Sequence, residues 1–273
     1  MKRFVLFGLL VLFISTAGFS QSFGDIYEKS IENNEAIPYP FLREADVIWS
    51  KRITRMVDLR EKMNLPLYYP TEPTSDGRMS LTSILLGEIK AGALNAFDPN
   101  NKLVNVTYSD IETQLGAKAD TQTIQLMTGG FRDTVIFEEP HPEEVLQMLV
   151  LEEWYFDKKH SRMDVRIIGL CPIRVYYNQQ LGRTSRLQLF WVRYNDFRDT
   201  FARHEAYNRF NDAQRISYDD LFMQRRFSSV IYAESNVYDD RQINEYKMGK
   251  DVLYEAEKVK RELQEFEHDL WEY

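Results

Sequence analysis

The sequence predicts an α+β fold: a mainly antiparallel sheet covered by helices, preceded by an extended N-terminal arm and closed by a long C-terminal helix. Three observations point there. Strand-like runs cluster at 150–157, 163–171 and 187–194, and apolar residues fall on both alternating faces of the last two. A sheet apolar on both sides needs cover on both sides. Residues 251–270 carry Val252, Ala256, Val259, Leu263, Phe266 and Leu270 at alternating steps of four and three, a helical seam. Early in the chain, Pro38-Tyr39-Pro40 resists regular structure and favours extended backbone.

In order along the chain, Lys2 and Arg3 precede an apolar run at 4–14, followed by Ser15-Thr16-Ala17-Gly18-Phe19-Ser20. This is the layout of a cleaved export signal, with Gly18 and Ser20 at the −3 and −1 places. The expected division is a signal peptide at 1–20, an arm with helices at 21–100, and an α+β core at 101–273. The sole cysteine, Cys171, does not follow the signal, so no lipid anchor is expected there. The arm holds a short helical piece at 25–31. Residues 45–63 read as a helix, with Val47, Ile48, Ile53, Met56, Val57 and Arg60 on a mixed face and Lys51, Arg52 and Arg55 opposite. Pro66, Pro70, Pro73 and Asp76-Gly77 then break the chain. Leu81, Ile84, Leu85 and Ile89 form one helical stripe.

From 102 the period shortens. Residues 103–108 read as a strand, and Ser109-Asp110-Ile111-Glu112 as a capping box opening a helix that stops near Gly116. Residues 123–127 and 134–137 flank a turn at 128–133, a hairpin. Pro142 marks a helix start. Pro172 and a loop at 178–185 separate the second and third core strands. Helices follow at 196–207 and 217–226, while 227–235 is ambiguous. The final helix is expected to lie along its own sheet or a neighbouring subunit.

The 273-residue chain has a net charge of −8; removing a leader that holds Lys2 and Arg3 leaves 32 bases against 42 acids, a net of −10. An acidic body disfavours nonspecific binding to nucleic acid or anionic lipid. One cysteine excludes an intrachain disulfide. Past the leader no apolar run approaches the roughly 18 residues that span a bilayer, so no direct membrane insertion is expected. Aromatic residues make up 14% of the chain, with 16 Tyr. Most fill a core, and the surplus tyrosine points to assembly.

Catalytic patterns are wanting. His204-Glu205-Ala206-Tyr207-Asn208 resembles H-E-x-x-H but ends in Asn, so a second zinc ligand is missing and a structural helix with one polar face is the better reading. His141, His160 and His268 have no metal-ligand spacing. Cys171, between Leu170 and Pro172, has no neighbouring cation to activate it. Glu152 and Glu153 are adjacent on a strand and point to opposite faces, so they cannot converge. Asp219-Asp220 fit the first turn of a helix through its dipole. No catalytic, cofactor-binding or metal residue is therefore assigned, and no cofactor is expected.

From Glu152 onward the chain resembles a known family. The residues that carry this are Glu153-Trp154-Tyr155-Phe156-Asp157-Lys158, Val165-Arg166-Ile167-Ile168-Gly169-Leu170-Cys171-Pro172, Phe210-Asn211-Asp212-Ala213-Gln214-Arg215, Arg225-Arg226-Phe227-Ser228-Ser229, Glu234-Ser235-Asn236-Val237-Tyr238-Asp239, and the closing Phe266-Glu267-His268-Asp269-Leu270-Trp271-Glu272-Tyr273. In these blocks it is similar to the GldN/PorN family, the periplasmic ring component of the type IX secretion and gliding machinery of Bacteroidota. The resemblance implies a non-enzymatic structural subunit. It implies a homo-oligomeric ring beneath the outer membrane, built with a GldK/PorK-like lipoprotein and contacting the periplasmic part of a GldM/PorM-like motor protein. The alternatives are a secreted or periplasmic hydrolase with a nonlocal active site, and a monomeric periplasmic adaptor. Candidate interface residues are Tyr39, Pro40 and Phe41 on the arm, Trp154, Tyr155 and Phe156 on an aromatic strand, and Trp271 and Tyr273 at the C-terminus.

Overall fold

The computed structural model describes residues 31–270 apart from 32, 75, 126–130, 210, 212 and 239. The expected signal at 1–20, most of the helical piece at 25–31, and Trp271 and Tyr273 lie outside the described residues.

After the arm, a 3-10 turn (Glu44–Asp46) leads into β1 (Val47–Asp58). There follow α1 (Leu65–Tyr68), α2 (Leu81–Lys90), β2 (Ala96–Phe97), β3 (Asn105–Val106) and α3 (Tyr108–Gln114). The hairpin β4 (Lys118–Gln125) and β5 (Phe131–Glu138) precedes a 3-10 turn, Pro142–Glu144. The long strands β6 (Val145–Asp157) and β7 (Arg162–Asn178) come next, then β8 (Arg183–Gln188) and β9 (Val192–Arg193). The chain ends in α4 (Tyr194–Arg203), β10 (Glu205–Ala206), β11 (Ile216–Ser217), α5 (Tyr218–Met223), β12 (Val230–Glu234), α6 (Ile243–Tyr246) and α7 (Lys250–Asp269). The main sheet runs β12-β1-β6-β7-β8, with β9 also beside β7, and every pairing is antiparallel. It takes β1 from before residue 100 and β6 to β8 from after it, so the two expected segments share one sheet.

Cross-strand partners share a face, so the register assigns the cores. Val57 pairs with Met148, Arg55 with Val150 and Ile53 with Glu152. On that face Val57, Met148, Val150, Ile167 and Leu170 belong to the largest core, beneath Leu81, Ile84 and Leu85 of α2, Phe197 and Phe201 of α4 and Phe222 of α5. Further along the same face, Trp49, Ile53 and Trp154 pack with Ile231 and with Ala256, Val259 and Leu263 of α7. The C-terminal seam thus lies on its own sheet. On the opposite face Leu149, Cys171 and Ile173 pack under Phe97 and Trp191. Those two rings are brought together by reciprocal backbone hydrogen bonds of 2.8 Å between Phe97 and Trp191.

The stripe at 81–90, the hairpin, the first two core strands and the last helix form where the sequence places them, whereas the third expected strand, 187–194, is divided between β8, which begins already at Arg183, and β9, and Tyr194 opens α4. Elsewhere the structure differs. Residues 45–63 are not a helix but the central strand β1 and its exit turn. Arg55 is the reason: it is buried on the core-facing side, where its ion pair with Glu152 tolerates it, and a buried arginine masks the alternation Ile53, Arg55, Val57. The helix near 109 is capped by Thr107, not Ser109, with Asp110 completing the box. Of 103–108 only Asn105–Val106 pairs. Pro142 opens one 3-10 turn, after which Val145 already belongs to β6. Pro172 does not end its strand. β7 continues to Asn178, because Pro172 sits where the neighbour on that edge changes from β9 to β8 and its missing N–H breaks no ladder bond there. The segment 204–207 is not helical: α4 stops at Arg203, and Glu205–Ala206 pair with Ile216–Ser217. The ambiguous 227–235 contains edge strand β12.

Two predictions follow from this packing. At Gly169 an added Cβ would sit 2.9 Å from the Val192 carbonyl and 3.3 Å from the Trp191 ring. Gly169→Ala should therefore lower unfolding stability by about 1–3 kcal/mol, read from urea denaturation. At the end of β1, the Arg60 guanidinium hydrogen-bonded to Asp58 holds that carboxyl down at about 2. A depressed folded pKa gives stability that is complete above the unfolded value near 3.9 and is lost as pH falls through about 2. Asp58→Asn should flatten that acid limb in pH-dependent melting, by no more than about 1 kcal/mol because Arg60 is exposed.

Candidate functional site

One carboxylate organises the middle of the sheet. Glu152 is fully buried on β6, between the two apolar clusters of its face. Its Oε2 accepts from Arg55 Nε (2.9 Å) and Trp154 Nε1 (2.9 Å), and its Oε1 from Arg225 Nη2 (2.7 Å). Both guanidiniums lie over the Trp154 ring, at 5.7 and 5.4 Å. Arg225 stands in the left-handed region (φ 53°) at the end of α5. There Arg226 N–H reaches the Leu221 carbonyl and Arg225 N–H the Phe222 carbonyl, the helix stop that usually takes glycine. The strained backbone persists because the Arg225 side chain is committed to Glu152. This is a structural knot in which three protein donors hold the carboxylate, while Arg225 Nη1 is buried without a hydrogen-bond partner.

The other chemically promising groups are quiet. Cys171 is buried, and burial pushes its thiol up to about 12, the reverse of an activated nucleophile. His204 Nδ1 donates to the Thr200 carbonyl (2.8 Å) at the end of α4. Among the described residues no three His, Cys, Asp or Glu side chains converge as metal ligands. Glu152 and Glu153 do point apart: Glu152 is wholly buried and Glu153 is not. For Asp219-Asp220 the helix dipole is an incomplete account. Asp220 caps α5 through the backbone N–H and hydroxyl of Ser217, while Asp219 is buried and belongs to a second cluster. A cleft of about 270 Å³ beside α7, lined by Arg55, Ile231, Leu253 and Lys260 among others, has at its base an arginine already bound to Glu152.

That second cluster holds the arm. Asp219 accepts from Arg198 Nε (3.1 Å) and Nη2 (3.0 Å) and from the Tyr194 hydroxyl (2.8 Å). Burial, with Asp219 beside it, pushes the Tyr194 hydroxyl far up, so it stays a donor. Arg198 Nη2 also donates to the Ile37 carbonyl (2.6 Å), and Arg166 Nη2, from β7, donates to the Pro40 carbonyl (2.7 Å). The Tyr39 ring sits 4.2 Å from the Arg198 guanidinium and 4.9 Å from that of Arg166. Burial is the main cause of its raised pKa, with the Arg198 charge opposing.

The expected interface residues thus have different fates. Tyr39 is half-buried against its own chain, whereas Phe41 is 85% exposed. Pro40 is exposed and anchored by its carbonyl. Trp154 is partly buried and engaged with Glu152, and Tyr155 and Phe156 are buried within the chain, so the trio is largely committed to the protein's own packing. Trp271 and Tyr273 lie outside the described residues. Exposed apolar side chains are found instead between β12 and α6 (Val237, Tyr238), just before α7 (Met248) and in its first turns (Leu253, Tyr254). The sequence reading missed the partners of Glu152. The available signal was its parity with Val150 and Trp154, which puts it on a core face. Nothing local marks Arg55 or Arg225 as its long-range counterparts.

A family model described as Gliding motility associated protein GldN matches residues 42–272. The matched region therefore begins well before Glu152 and takes in β1 and α2. No curated protein matches the chain.

Removing the carboxylate of Glu152 would leave two buried or half-buried guanidiniums facing each other. Glu152→Ala should cost about 3–5 kcal/mol in chemical denaturation. Glu152→Gln, which keeps one acceptor, should cost less.

Proposed function

The chain belongs to the GldN family of gliding-motility-associated proteins, which serve the gliding and type IX secretion machinery, and from that premise we propose that it is a structural subunit of a periplasmic ring associated with the outer membrane. In this reading the protein is exported, its signal is cleaved near Ser20, and it reaches the membrane through a GldK/PorK-like lipoprotein. It presents a surface to the periplasmic region of a GldM/PorM-like motor protein and supports protein export and, in gliding hosts, motility. The family match over 42–272 carries the proposal.

Three further observations support it. The sequence has the layout of an export signal and no cysteine placed for lipidation beside it. The side chains best suited to chemistry are engaged in structural roles: Glu152 by three donors and Asp219 by two residues. The described surface carries exposed apolar residues around 237–254, the type of surface that partners cover. A closed ring uses head-to-tail contacts, which need two different matching patches on each subunit. The arm at 31–42 and the 237–254 region are candidate patches.

Mature protein co-expressed with its lipoprotein partner should elute as a megadalton-class particle in size-exclusion chromatography and appear as rings in electron microscopy. A small species that hydrolyses a substrate would point to an enzyme. A one-to-one complex without self-association would point to an adaptor. Either result overturns the ring reading.

A further inference from the structure

The arm is bound like a peptide ligand. Two carbonyls three residues apart, Ile37 and Pro40, are each grasped by an arginine, and the ring between them, Tyr39, is held by both. Pro38 and Pro40 keep this segment extended without any ladder partner. Among the described residues, no backbone hydrogen bond joins 35–42 to the body of the protein. Ile37, Pro38, Pro40 and Phe41 all face solvent, so Tyr39 is the one side chain of 37–41 that the seat takes in.

The Arg198 half of the seat is assembled independently of the arm. Arg198 is fixed by its two-pronged bond to Asp219, which Tyr194 holds in turn, and all three are buried in the helical layer. Arg166 projects from the 162–168 stretch of β7, which has β6 on one side and, among the described residues, no strand on the other. The seat thus joins a preorganised arginine, Arg198, to Arg166 at an open sheet edge. In this fit the Tyr39 hydroxyl and Arg166 Nε are buried without a hydrogen-bond partner.

We propose that the Arg166–Arg198 seat is a docking site for the Pro38-Tyr39-Pro40 segment in trans, occupied in the assembled protein by the arm of a second copy. This deepens the ring reading and rests on its premise of self-association. Seat and ligand lie on one chain, so every copy brings both halves of a head-to-tail contact. Exchange keeps each arm–seat bond and asks only that the chain swing at 42–43, before the Glu44–Asp46 turn. The proline-stiffened segment loses little conformational freedom on docking, which favours binding without the intramolecular tether. Within a ring, neighbouring arms are held close to the seats, and effective concentration then favours exchange.

The test uses full-length mature protein in two forms. Tyr39→Ala empties the seat but leaves it intact, whereas Arg166→Met disables the seat and leaves the arm intact. A fluorescent peptide of residues 33–43 should bind the Tyr39→Ala protein in an anisotropy titration. Affinity should fall at least tenfold when Arg166→Met is added to that protein, or when the peptide itself carries Tyr39→Ala. Mixing the two single variants should give one-to-one hetero-pairs by native mass spectrometry, with neither variant pairing alone. Absence of peptide binding to the Tyr39→Ala protein overturns the seat. Peptide binding without hetero-pairs reduces the arm to an intramolecular latch and overturns the exchange. Rings that form equally well from wild type and Tyr39→Ala would also end the exchange, yet leave the ring reading standing. Hetero-pairs without wild-type rings would do the opposite.

Discussion

Strand β6 has water on neither side, and most of the architecture follows from that. From Val145 to Val150 both alternating sets of side chains are largely buried, Val145, Met148 and Val150 among them on one side and Leu149 on the other. A strand dry on both faces must sit inside a sheet, so it is flanked by β1 and β7, and it must be roofed above and below. The thick roof is the helical layer of α2, α4 and α5, closed by the rings of Tyr194, Phe197, Phe201 and Phe222. The thin roof is Phe97 with Trp191, across a strand that carries glycine at 169 so that the two backbones can approach.

Within the thick face, Glu152 divides two cores that would otherwise merge. One side belongs to the helical layer and the other to α7. A buried carboxylate is expensive to desolvate, and this one is matched by a neighbouring donor on β6 and by donors from two distant segments, β1 and the end of α5. The arrangement ties the last third of the chain to its first strand. It also explains a local oddity, an arginine in the left-handed position at a helix end. Side-chain electrostatics there outweigh a backbone preference worth about 1–2 kcal/mol.

The two ionic clusters do different work. Around Glu152, polar groups are consumed in holding the fold. Around Asp219, one arginine faces inward to the carboxylate and outward to the arm, so the cluster presents a fixed guanidinium at a surface. A protein whose task is to fit against other chains needs that second type of site. Its rigidity comes from buried packing, and its specificity comes from a few oriented donors.

The sequence by itself determined the class of fold, the helical stripe at 81–90, the hairpin, the long core strands and the amphipathic last helix. In each of these, local periodicity and turn residues agree with the final packing. It also carried the family likeness, on blocks such as Glu153-Trp154-Tyr155-Phe156 and Val165-Arg166-Ile167-Ile168-Gly169. Only the tertiary structure decided that 47–58 is a central strand, that Pro172 lies within one, that the aromatics at 154–156 face inward, and that Tyr39 rests between two arginines. The physical reason is common to all four. Each depends on a partner between about 15 and 160 residues away: Glu152 for Arg55, the β8–β9 junction for Pro172, α7 for Trp154, Arg166 and Arg198 for Tyr39. A residue's own neighbours report its period, but not the charge or ring that will meet it across the fold.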